Sequence, residues 1–284
     1  MTDIYEWLFG ARGKAAMADG MPGPEDLLAP YAHQIEATVL PIIAIETSAS
    51  PPASRTGSQL GGLPWWPAGR AYPLSSDGRP LFLLAQINLE ETPPLDPLPR
   101  QGLLQFFIGA DDHYGCNLDN PAQTSGFVCI YHASLAGGVL SDFAFLNAHL
   151  GEADCLPLFE PLAGRAMTFA EGRMPVDPTD YRLEQLLPEI VANDDLLEAY
   201  YERHINKPAI RLGGYPTFTQ DDPRLWSDHP RNAKRPSIGD FALLTIDTTD
   251  GIMWGDSGAA QFLADAEDVR RHDFSKVVYN WDCC

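Results

Sequence analysis

Apolar residues in this chain fall mostly in short, nearly unbroken runs between Gly, Pro and Asp, the pattern of buried strands joined by tight turns. Such runs predict strands over 41–47, 81–89, 102–109, 127–132 and 241–247, a strand entered at Gly258, and a closing strand within 273–284. Helical spacing is confined to two places. Leu27, Leu28, Tyr31, Ile35 and Val39 recur at three- to four-residue intervals behind Glu25 and Asp26, with Pro30 as a kink or first-turn residue. Residues 181–205 hold two helical stretches divided near Pro188 and Asn193-Asp194-Asp195, an N-cap cluster. Residues 140–174 show no regular period and are expected to join the halves. Residues 4–9 form a short amphipathic piece carrying Tyr5, Trp7 and Phe9, followed by a linker to residue 23.

The strand pattern occurs twice in one order. Gly61-Gly62-Leu63-Pro64, then 82–88, then Gly102-Leu103-Leu104-Gln105-Phe106-Phe107 is echoed by Gly213-Gly214-Tyr215-Pro216, then 241–247, then Gly258-Ala259-Ala260-Gln261-Phe262-Leu263. The expected fold is therefore α+β and β-rich: an internal duplication of two related sheet-containing halves, about 24–178 and 179–284, with flanking helices and the 1–23 segment in front. High Gly (24) and Pro (25) in 284 residues agree with many short strands.

Charge narrows the partners. The 39 acids against 19 bases give a net charge of -20, which repels phosphate backbones and points away from nucleic acid and toward a basic protein. Arg224, Arg231, Lys234 and Arg235 lie among Asp221, Asp222 and Asp228 and read as a solvated loop. The start lacks a cationic, apolar leader and no stretch is apolar enough to span a bilayer, so a cytoplasmic protein is expected, with no membrane association. Five cysteines, an odd count without a paired framework, read as reduced thiols.

Several motifs resemble chemistry and resolve into turns. Gly255-Asp256-Ser257-Gly258 matches a serine-protease nucleophile tetrapeptide, but no histidine stands in a matching context, and Gly258 aligns with Gly102 at the entry to a strand. His113-x2-Cys116 and Cys129-x2-His132 have zinc-ligand types, yet an odd separation on a strand turns Cys129 and His132 to opposite faces. No cofactor or catalytic set is expected. The alternative to a non-catalytic protein-binding protein is an enzyme or small-ligand binder with a cleft between the halves, for which Trp65, Trp66, Gln86, Gln105, Gln220, Asp221, Trp254 and Asp256 are the candidate lining, because they come from equivalent places in the two copies.

Gly-Gly-Leu-Pro-Trp-Trp-Pro (61–67), Ala-Gln-Ile-Asn (85–88), Gly-Leu-Leu-Gln-Phe-Phe-Ile (102–108), Gly-Gly-Tyr-Pro (213–216), Met-Trp-Gly-Asp-Ser-Gly (253–258) and Asp-Phe-Ser-Lys-Val (273–277) together resemble the YwqG-like family of bacterial proteins. The resemblance runs from about Pro24 to the C-terminus. It implies a mixed α and β domain of unknown function with an internal duplication and no catalytic residues to carry over. Members are often found in toxin and immunity gene neighbourhoods, so a basic toxin is the partner it implies.

Overall fold

The computed structural model describes residues 23–117, 125–151, 155–204, 207–220, 222–228 and 239–283. The 4–9 segment, Asp221, Arg231, Lys234 and Arg235 lie outside these residues.

Among the described residues ten strands are formed: β1 (Leu40–Thr47), β2 (Gln59–Leu60), β3 (Phe82–Asn88), β4 (Leu103–Ile108), β5 (Phe127–His132), β6 (Arg165–Met174), β7 (Ile210–Gly213), β8 (Phe241–Asp247), β9 (Ala259–Ala264) and β10 (Val278–Asp282). They make one nearly closed antiparallel sheet in the order β10-β9-β8-β7-β1-β6-β2-β3-β4-β5. The unbroken apolar runs of β3, β4 and β9 arise because both faces of these strands are covered. Their inner faces meet across the fold: Phe106 lies 4.9 Å from Phe262, Phe127 5.3 Å from Tyr279, and Phe262 stacks on Tyr279 at 4.6 Å. The outer face of β3 and β4 is closed by Trp66, Phe143 and Leu146.

β1 and β6 pair with each other at the centre through eight register positions. β1 then pairs with β7 and β6 with β2. A strand from the start of the chain thus completes the flank β7 to β10, and one from the middle completes the flank β2 to β5. Apolar patterning does not reveal β6. Its Arg-Ala-Met-Thr-Phe-Ala-Glu-Gly-Arg-Met buries only Met167 and Met174, so backbone pairing to β1 holds it extended where apolar alternation is missing.

The helices are short: α1 (Pro24–Leu28), α2 (Ala32–Ala37), α3 (Ala144–Asn147), α4 (Leu183–Leu186), α5 (Pro188–Val191), α6 (Asp194–Arg203) and α7 (Ala266–Arg270). A 3-10 turn at Ala29–Tyr31 absorbs Pro30 between α1 and α2. Asn193 caps α6 by accepting from Leu196 N–H at 3.1 Å. Leu28, Ile35, Leu187, Ile190, Leu196 and Tyr200 bury the inner side of this layer against Ile42, Met174 and Val176. Among the described residues no helix is long and apolar enough to cross a membrane.

Candidate functional site

Each flank carries the same turn. Gly61 and Gly62 have φ of 62° and 81°, and Gly213 and Gly214 have 75° and 67°, a backbone that side chains resist. A Cβ on Gly62 would also lie 2.7 Å from Gln59 Oε1, and one on Gly214 would lie 2.5 Å from Ile42 Cγ2. The two turns feed Trp65 and Thr217, and a buried glutamine clamps each.

In the first flank Gln105 donates to Trp65 O at 2.7 Å and to Gln86 Oε1 at 2.8 Å. Gln86 Oε1 also accepts from Trp65 N–H at 2.9 Å, while its amide nitrogen donates to Arg55 O and Gly57 O, each at 2.9 Å. With its nitrogen committed to two acceptors, Gln105 must present Oε1 to His132 Nε2, 2.9 Å away. His132 therefore carries its proton on Nε2 and accepts from Arg70 at Nδ1, 3.3 Å off. Burial first, then the nearby Arg70 charge, pushes the His132 pKa down to about 4. A neutral imidazole with both nitrogens engaged orients the loop and has no lone pair free for base chemistry at neutral pH.

In the second flank Gln261 donates to Thr217 O and accepts from Asn280 Nδ2 at 2.8 Å. The partner position differs: where β3 has Gln86 opposite Gln105, β8 has Thr245 opposite Gln261. Arg211 takes over. Its Nη2 donates to Tyr215 O at 2.9 Å, as Gln59 Nε2 does to Leu63 O, and its Nη1 donates to Pro208 O at 3.1 Å. One guanidinium thus replaces the donors of two amides, at the cost of Arg211 Nε and Thr245 Oγ1 finding no partner among the described residues.

The guanidinium brings charge into the interior. Asp177 answers it, accepting from Thr217 Oγ1 at 2.7 Å, Thr179 N–H at 3.0 Å and Lys207 Nζ at 2.5 Å. Burial alone would raise the Asp177 pKa, but Lys207 and Arg211 outweigh it and hold it at about 2. Beside it, two Asp-x-Arg pairs close on themselves: Arg182 binds Asp180 through two 2.7 Å bonds, and Arg224 binds Asp222 at 2.9 and 2.6 Å and reaches Asp180 at 2.7 Å. Arg224 is thus buried and paired, which corrects the solvated-loop expectation for that residue. A basic residue two positions after an aspartate, twice in one region, was the available signal.

The candidate lining residues divide. Trp65, Gln86 and Gln105 gather in the first clamp with His132, and Trp66 packs beside it, 5.7 Å from the imidazole. All four are buried. Gln220 is exposed and donates to Cys283 O, near which the turn of Gly255 also lies. Trp254 is buried against Tyr114 and Trp281, and Asp256 is exposed in a turn closed by Gly258 N–H to Trp254 O at 2.7 Å. The zinc-type residues are dispersed as well. Cys129 and Cys116 sit in the main core, burial pushing the Cys116 thiol up to about 12, while His132 serves the clamp and His113 is exposed. Among the described residues no group of three or more His, Cys, Asp or Glu side chains could hold a metal ion.

Two surface features remain. An open polar groove of about 650 Å³ is lined by Asp77, Arg79, Asp111, Asp112, His113 and Asn117, among others. The helical layer exposes Glu25, Asp26, Glu36, Glu184, Glu189, Asp194 and Asp195. A family model described as a domain of unknown function, DUF1963, matches residues 58–283. No curated protein matches the chain significantly.

Proposed function

The chain belongs to the DUF1963 family, a domain of unknown function, and from that premise we propose a non-catalytic, cytoplasmic protein-binding protein whose acidic surface receives a basic protein partner. The observation that carries this reading is how the charges are spent. Arg182, Lys207 and Arg224 pair with Asp177, Asp180 and Asp222 inside the fold, and Arg211 reaches Asp177 through Thr217 Oγ1. These four cations and three carboxylates nearly cancel, so the net charge of -20 falls almost wholly on the rest of the chain. The polar residues of the clamps are occupied by one another, which leaves no poised nucleophile or base in them. The exposed acids of α1, α2 and α4 to α6 offer the partner an excess of negative charge, which speeds encounter and selects charge.

The finer parts of the reading rest on likeness. The six ordered motifs favour the YwqG-like branch and, through its gene neighbourhoods, a basic toxin as the partner. Matching clamps, bulges at Leu83/Ala85 and Ala242/Leu244, and paired Gly-Gly turns favour descent of the two flanks from one duplicated unit. Stopped-flow association of the full chain with candidate basic toxins tests the function. The rate should fall at least about tenfold between low and physiological salt; no association, or a salt-independent rate, would refute it.

A further inference from the structure

Past Met167, whose N–H reaches Ser58 O at 3.0 Å, β2 ends, and among the described residues β6 continues to Met174 with β1 on one side only. Antiparallel ladders alternate. Ala166 turns toward β1, where its carbonyl accepts from Ser48 N–H at 2.9 Å, so Met167, Glu171 and Arg173 turn the other way. The N–H and C=O groups of Glu171 and Arg173 thus lie on an open strand edge. Both side chains are exposed, that of Arg173 by 67%. Two residues apart on one strand, they share a face.

Edges are usually blunted by charged side chains or by proline. This edge carries opposite signs at the spacing that makes it self-complementary. We propose that β6 is a homodimer edge, on which a second copy of this chain adds its own β6 antiparallel about a two-fold axis at Gly172. Glu171 then stands opposite Arg173 of the second copy, and Arg173 opposite its Glu171, giving two hydrogen-bonded pairs and two ion pairs from one short segment. Glu36, 2.8 Å from Arg173, adds a second carboxylate to each ion pair. At the axis the two chains come closest. Gly172 permits the approach, and it must be small already, because a Cβ there would lie 2.9 Å from Ile42 Cγ1. A basic extended segment suits this edge less well, because it would meet Arg173. The proposal is independent of the basic-partner reading, whose acids lie mainly on the helices.

Sedimentation equilibrium of the full chain at fixed ionic strength tests it. A short ribbon of this kind should give a reversible dimer with Kd of about 10–500 µM. E171R and R173E each place like charges opposite one another and should weaken the dimer at least about tenfold, whereas the double E171R/R173E variant restores both cross-strand pairs, with Glu36 left beside a carboxylate, and should dimerise at least about threefold more tightly than either single variant. Circular dichroism confirms that each exposed-site variant folds. A wild-type chain monomeric throughout, a dimer indifferent to either single reversal, or a double variant that fails to recover would overturn the proposal.

Discussion

Replacing Gln105 by leucine removes the first clamp while keeping the side chain's approximate volume. Three hydrogen bonds go: those to Trp65 O and Gln86 Oε1, and the one from His132 Nε2. Gln86 Oε1 keeps Trp65 N–H, so Trp65 O and the imidazole N–H are the groups left buried and unpaired. A typical net bond contributes about 1 kcal/mol and an unpaired buried group costs about 1–3 kcal/mol, which places Gln105→Leu at about 3–4 kcal/mol after allowing for overlap. For a chain of this size that is a Tm loss of about 6–16 °C. Gln261→Leu strands Thr217 O and Asn280 Nδ2 in the same manner, and its cost should agree within about 1 kcal/mol. Urea titration followed by circular dichroism, with the m-value checked for constancy, gives both numbers. A loss below about 0.5 kcal/mol for Gln105→Leu, the size of an ordinary surface change, would refute the clamp.

Three further outcomes follow from the same geometry. Asp177→Asn should cost about 3–5 kcal/mol by leaving Lys207 and Arg211 without their carboxylate, read from the same titration. Stability should fall on acidification: the unfolded chain takes up a proton on His132 below about pH 6.5 that the folded chain refuses until about pH 4, for about 1–2 kcal/mol after solvent screening, and Asp177, held at about 2, adds a second loss below about pH 4. Tm measured across that range checks the sign. Gly214→Ala should cost more than about 1 kcal/mol through its positive φ and the contact with Ile42, whereas Gly69→Ala, at φ 82° in open space, should show the strain alone.

Strands with apolar runs were legible because burial on both faces leaves an unmistakable composition, and β3, β4, β5 and β8 stand where the runs predict. The Gly-Gly turns were legible too, because only a residue without Cβ fits both the torsion and the neighbours at Gly62 and Gly214. β6 was hidden because its stability comes from a ladder to β1, which sequence periodicity does not record. Gln86 and Gln105 could be chosen from the repeat, but the repeat could not tell a clamp from a lining. That distinction lies in the partners each amide finds. Asp177 and Arg211 escaped notice because their roles depend on a substitution, Thr245 for Gln86, that matters only once the two flanks are compared position by position.

The most direct test of the acidic-surface account is the association rate of a candidate basic toxin with the full chain and with a variant in which Glu184, Glu189, Asp194 and Asp195 are each replaced by lysine. These acids also oppose helix N-termini, so the variant's folding is checked first by circular dichroism. The account predicts a fall in rate of at least about tenfold for the variant at low salt, shrinking as salt is added. Equal rates for the two proteins at every salt concentration would contradict it.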